Sequence, residues 1–123
     1  PITIRNAYDD KEGITKRFNM NLLIRMNREL EADFKLDDFD FYCYYNPETG
    51  RVKSYIVSLK KQTVLLKKLN KTIQFNQNEL IWTELSKKYS LSEIDKLAAV
   101  SGFQSKQHFL DCKHYFTDSL WEK

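Results

Sequence analysis

The spacing of apolar residues switches near Asp40 from a helical repeat to strand alternation, and this switch constrains the fold more than any other feature. Before it, Ile14, Phe18, Leu22, Met26 and Leu30 recur every fourth residue, with Leu23 broadening the stripe. Charged side chains fall largely between them, which predicts a helix over 14–32 with an apolar face. Gly13 and the acidic pair Asp9-Asp10 mark its approach, because carboxylates favour a helix N-terminus. Ala32-Asp33-Phe34 reads as the exit, and Leu36 to Phe39 as one further turn that aims Phe39 at the core.

After the switch, Asp40 to Asn46 is dense in aromatics, Pro47-Glu48-Thr49-Gly50 is a turn signal, and Arg51 to Leu59 returns with β-branched and aromatic residues. This is a β-hairpin. Thr63 to Leu66 and Thr72 to Phe75 read as short strands across a lysine-rich turn, and Asn76-Gln77-Asn78 leads into a strand from Glu79 to Lys88. A second character begins at Tyr89. Ser90-x-x-Glu93 is a capping-box pattern opening a helix that Gly102 closes, and Phe103 to Asp111 and Tyr115 to Trp121 read as two strands. The expected fold class is α+β: an antiparallel sheet of about five strands packed with one long helix, followed by a helix and a β-hairpin. The boundary falls between 1–88 and 89–123, and the second piece is too small to hold a core alone.

Composition supports a folded chain and argues against two classes of partner. Hydrophobic residues make up 41% of the 123 residues, enough for a core, and charged residues 30%, with a net charge of only +3. Lysines gather at Lys60-Lys61, Lys67-Lys68-x-x-Lys71 and Lys87-Lys88, and acids at Asp37-Asp38-x-Asp40. No nucleic-acid-binding motif accompanies the lysines, so no nucleic acid is expected. No apolar run approaches the ~20 residues of a membrane helix, and no membrane association is expected. Cys43 and Cys112 suggest no disulfide framework and fit reduced thiols in a cytoplasmic protein. The first residue is Pro1, as in a processed chain or a piece of a longer one.

Chemistry concentrates in Ile81-Trp82-Thr83-Glu84-Leu85-Ser86. Strand alternation places Trp82, Glu84 and Ser86 on one face and Ile81, Thr83 and Leu85 on the other. An aromatic, a carboxylate and a hydroxyl in line can receive a small ligand carrying N–H groups, while a solvated strand face with a chance glutamate is the plainer alternative. His108, Cys112 and His114 are close in sequence, but a metal needs further convergent ligands, and none is expected.

Three segments, in order, resemble the histidine-specific S-adenosylmethionine-dependent methyltransferases, the Nα-trimethylating enzymes of the ergothioneine pathway and their relatives. They are Ala7-Tyr8-Asp9-Asp10-x-x-Gly13-Ile14-Thr15-x-x-Phe18-Asn19-x-Asn21-Leu22-Leu23-x-Arg25-x-Asn27-Arg28-Glu29-Leu30, then Val57-Ser58-x-x-x-Gln62-Thr63-Val64, then Ile81-x-Thr83-Glu84-x-Ser86-x-Lys88-Tyr89. A weaker match runs through Leu97-Ala98-x-x-x-Gly102-Phe103 to Asp111 and Phe116. The resemblance implies a parent enzyme with a Rossmann-like domain and an inserted substrate domain. This chain would be its C-terminal portion: part of the substrate domain in 1–88, then in 89–123 the helix and hairpin completing the Rossmann-like methyltransferase sheet.

S-adenosylmethionine would bind the missing N-terminal domain of the same chain, leaving no cofactor-binding residue here. Glu84 and Ser86 would face the imidazole of a histidine-type amino-acid substrate, and Tyr8 would help hold its amino-acid head group. No catalytic residue is assigned. The fragment alone is expected to be inactive. One departure is notable: Ser54 stands where family enzymes acting on histidine commonly carry methionine, which leaves another amino acid or a histidine derivative open beside histidine itself. The alternative from another class is a stand-alone, non-catalytic module that binds an amino acid or a protein.

Overall fold

The computed structural model describes residues 2–8 and 12–123, so Asp9 and Asp10 lie outside the described residues. The chain divides into two compact units, residues 1–87 and 88–123. Both mix helices with antiparallel strands, the α+β class expected from the sequence.

In the first unit, helix α1 (Ile2–Tyr8), which no periodicity announced, precedes helix α2 (Ile14–Leu30). Gly13 enters α2 at φ 67°, and Glu31 leaves it at φ 48° in the left-handed region. A short 3-10 turn, Leu36–Asp38, leads into β1 (Phe39–Asn46) and β2 (Arg51–Ser58). Next come β3 (Gln62–Leu66), β4 (Lys71–Phe75) and β5 (Leu80–Lys87). These five strands divide into a three-stranded sheet of order β1-β2-β5 and a β3-β4 ribbon, all antiparallel.

The core gathers Met20 and Leu23 of α2 with Phe34, Phe39, Ile56, Val64, Leu66 and Phe75. Phe34, Phe39 and Phe75 meet in tilted and edge-on pairs with centroids 5.5 to 6.3 Å apart. Phe39 is 3% exposed, at the core position its spacing predicted.

The stripe on α2 requires a correction. Ile14, Phe18 and Leu22 are exposed, Phe18 at 74%, while the buried helix residues are Asn19, Met20 and Leu23. Each residue advances about 100° around a helix, so a strict four-residue repeat precesses by about 40° per step. Over five positions the stripe winds from the outer side toward the core, which only partly buried Met26 and its neighbours reach.

Polar side chains from the sequence segments quoted above do structural work in this unit. Asn27 donates to the Phe34 carbonyl and accepts from the Phe34 amide, both at 2.8 Å, pinning the segment after α2 back on the helix. Gln62 donates to Ser58 Oγ (2.6 Å) and to the Asp38 carbonyl (3.2 Å), and Ser58 donates to the Lys60 carbonyl (2.8 Å). Together they close the turn between β2 and β3 and satisfy a fully buried hydroxyl.

The second unit is helix α3 (Leu91–Val100) with the hairpin β6 (Gln104–Leu110) and β7 (Thr117–Glu122). Ser90 and Glu93 form both halves of the capping box. At the other end, the Phe103 amide donates to the Ala98 carbonyl (2.9 Å) and the Gly102 amide to Ala99 (3.1 Å), a Schellman motif requiring φ 79° at Gly102. A Cβ at Gly102 would meet nothing within 4 Å, so Gly102→Ala exposes the backbone penalty alone. The expected loss is about 1 kcal/mol of unfolding free energy, read by urea denaturation. A variant as stable as wild type would remove the left-handed requirement.

Candidate functional site

Strand β5 is set by the turn before it. The Asn78 amide donates to the Ser58 carbonyl (2.8 Å) and the Ser58 amide to Glu79 (2.9 Å), starting antiparallel pairing with β2. The register runs Val57↔Leu80, Ile56↔Ile81, Tyr55↔Trp82, then Ser54↔Glu84, Lys53↔Leu85 and Val52↔Ser86. Thr83 is therefore an extra residue, a bulge, and alternation restarts after it. Thr83 Oγ1 lies 2.7 Å from Asn19 Oδ1 and 3.0 Å from the Ser54 carbonyl oxygen, a shared donation that ties the bulge to α2. Asn19 in turn donates to the Thr15 carbonyl (3.0 Å).

The bulge changes which side chains share a face. Residues directly opposite on antiparallel strands point to the same side. Glu84 and Ser86 thus lie with Ser54 and Val52, both buried, on the inner side of the sheet. Trp82 does not join them, contrary to simple alternation. It lies with Tyr55 and Tyr42 on the outer face, 60% exposed, under Lys53 Nζ at 5.9 Å from its ring centre. Tyr42 and Tyr55 stack there with centroids 6.2 Å apart.

Tyr8, the last residue of α1, donates its phenol proton to Ser86 Oγ at 2.8 Å, across 78 residues of sequence. Tyr8 and Ser86 are thereby in direct contact, and Glu84 shares the sheet face two residues from Ser86. Glu84 and Ser86 are both half-buried. Glu84 lines a cleft of about 430 Å³ with Thr83 and, from α2, Phe18, Asn19, Asn21, Leu22 and Arg25. Neither Tyr8 nor Ser86 lines that cleft.

A larger cleft, about 950 Å³, lies elsewhere in this unit, between α2 and the start of β1, and contains none of the three predicted site residues. Its lining is mostly apolar, with Lys16 paired to Asp40 at 2.6 Å. The Lys16 ammonium, helped by the Phe41 amide, holds the Asp40 carboxyl below its ordinary value. Arg17, Asn21 and Asp37 also line this cleft.

In the second unit, His108 is bonded at both ring nitrogens, Nδ1 to Ser119 Oγ (2.8 Å) and Nε2 to Asp95 Oδ1 (2.9 Å). The bond from Ser105 and that from His108 hold the Asp95 carboxyl below its usual range. These bonds link α3 to the hairpin. Asp111 accepts the amides of Phe116, Lys113 and Tyr115, which lower its pKa, the Phe116 amide most, and shape the turn that carries Cys112 and His114. Among the described residues, no group of three or more His, Cys, Asp or Glu side chains converges as a metal site.

The sequence reading did not find the bulge, the Tyr8–Ser86 bond or the state of Ser54. Ser54 is 1% exposed, and among the described residues its Oγ has no hydrogen-bond partner. A polar residue amid the β-branched and aromatic residues of β2 was the available signal for Ser54; no residue type marks Thr83 as supernumerary.

The chain is a member of the histidine-specific, SAM-dependent methyltransferase family, whose model matches residues 1–123. Among curated proteins it is similar to the histidine N-alpha-methyltransferase of Mycobacterium tuberculosis (strain CDC 1551 / Oshkosh), 33% identical over 105 residues, covering 85% of this chain and 33% of the relative. It is also 32% identical over 112 residues to the histidine N-alpha-methyltransferase of Mycolicibacterium smegmatis (strain ATCC 700084 / mc(2)155), covering 91% of this chain and 33% of that relative. The chain thus spans about a third of the length of the curated relatives it matches.

Proposed function

We propose that this chain is the C-terminal, substrate-binding portion of a SAM-dependent amino-acid N-methyltransferase of histidine type, acting in the cytoplasm. Residues 1–88 belong to the substrate-recognition domain, and 89–123 are the helix and hairpin of the methyltransferase domain. Family membership and the one-third coverage support this reading. The observation that carries it is the 2.8 Å Tyr8–Ser86 bond beside Glu84 on one sheet face.

S-adenosylmethionine would supply the methyl group to the substrate amine. Among the described residues, we assign none to it. Gly13 precedes α2 after α1, Gly50 lies in the β1–β2 turn and Gly102 ends α3, so none occupies a strand-to-helix turn where a nucleoside is cradled. Cofactor binding is therefore assigned to the remainder of the parent enzyme.

This chain's own residues recognise the substrate. Glu84 accepts the N–H of an imidazole, and Ser86 donates to the other ring nitrogen while accepting from Tyr8. The chain Tyr8 O–H to Ser86 O–H to ring nitrogen sets the direction of both hydrogen bonds and selects one tautomer. A site of paired polar groups disfavours amino acids that leave those groups unmatched. Its task is alignment, holding the amine where transfer can occur.

The test is methyl transfer from S-adenosylmethionine to L-histidine by the full-length parent, read by mass spectrometry alongside the 123-residue chain. Methylated histidine from the parent and none from the chain alone is expected. Turnover by the isolated chain, or a parent that methylates neither L-histidine nor a related amino acid, would overturn the proposal.

A further inference from the structure

We infer that Ser54 is a positioning residue for Glu84, its hydroxyl turning to the carboxylate when a ligand N–H is held there; this rests on the reading of Glu84 given above. Ser54 sits directly opposite Glu84 in the β2–β5 register. Such pairs place their Cβ atoms roughly 4.5–5.5 Å apart, near enough for a hydroxyl and a carboxylate to meet after a rotamer change. Its Oγ is fully buried, and no described group satisfies it. A buried hydroxyl without a partner is destabilising, and the neighbouring buried positions Val52 and Ile56 show that hydrocarbon suits this face of the strand.

Ser58, on the same strand and face, makes the contrast. It is equally buried, yet it donates to the Lys60 carbonyl and accepts from Gln62. Ser54 is otherwise held in place: its carbonyl accepts from Thr83 at the bulge beside Glu84. Only its hydroxyl rotor is left to move. Once one carboxylate oxygen of Glu84 accepts from a ligand, the other can take the Ser54 proton. That second bond aligns the carboxylate plane and keeps its charge in a low-dielectric position.

A double-substitution cycle on the full-length parent, with L-histidine and S-adenosylmethionine as substrates, tests this. Ser54→Ala is expected to raise KM for L-histidine by about tenfold, with the loss falling on KM more than on kcat. Ser54→Thr, which keeps the hydroxyl, is expected to recover most of it. In a Glu84→Ala background the Ser54→Ala change should add little, because the acceptor is gone. Melting temperatures of all four variants separate misfolding from lost recognition.

A Ser54→Ala enzyme with raised melting temperature and unchanged KM would make Ser54 an unsatisfied hydroxyl with no role. Additive effects in the cycle would show that it acts apart from Glu84. Either result overturns this inference and leaves the site standing. A Glu84→Ala enzyme with unchanged KM would instead overturn the site and this inference together.

Discussion

Replacing Glu84 with alanine in the full-length parent is expected to weaken L-histidine binding about 100-fold, close to 2.8 kcal/mol, by calorimetric titration. The magnitude follows from removing a charged acceptor while the ligand's N–H enters a half-buried site and finds no replacement. Glu84→Gln keeps the shape and one acceptor oxygen but not the charge, and should fall between wild type and alanine. The fold should survive both changes, since Glu84 lies outside the buried core cluster. Binding within threefold of wild type by the alanine variant would remove Glu84 from the site.

The second large effect is on stability. Leu23→Ala is expected to cost about 3 kcal/mol of unfolding free energy in the 123-residue chain, by urea denaturation followed by circular dichroism. Leu23 is 1% exposed and packs with Met20 in the core cluster, so truncation leaves a cavity. Phe18→Ala, on the same helix and in the four-residue stripe, should change stability by no more than about 0.5 kcal/mol. Phe18 lies about 140° around the helix from Leu23 and is 74% exposed. A larger loss for Phe18 than for Leu23 would mean that the helix buries its other face.

Of the three sequence segments that carry the family resemblance, much serves the fold. Asn19 anchors the bulge, Asn27 clamps the exit of α2, and Ser58 with Gln62 closes the turn between β2 and β3. Tyr8, Glu84 and Ser86 are the three assigned above to the proposed site. Tyr8 and Ser86 bond each other across the unit, and Glu84 has the cleft beside α2 before it. That Glu84 and Ser86 share a face was legible from strand alternation, whereas the contact between Tyr8 and Ser86 was not. A hydrogen bond between residues 78 apart leaves no trace in local spacing.

What the sequence by itself determined is local. The helix expected over 14–32 and found at Ile14–Leu30, the hairpin around Pro47 and Gly50, the capping box at Ser90 and the left-handed stop at Gly102 each follow from steric and hydrogen-bonding preferences of a few neighbouring residues. What only the tertiary structure decided is facing. Precession of the four-residue stripe left Phe18 outside and Leu23 inside, and one supernumerary residue, Thr83, turned Trp82 away from Glu84 and Ser86. The reason is the same in both cases. Spacing fixes how side chains are phased along one element, whereas burial depends on which phase another element covers and on any residue that resets the count.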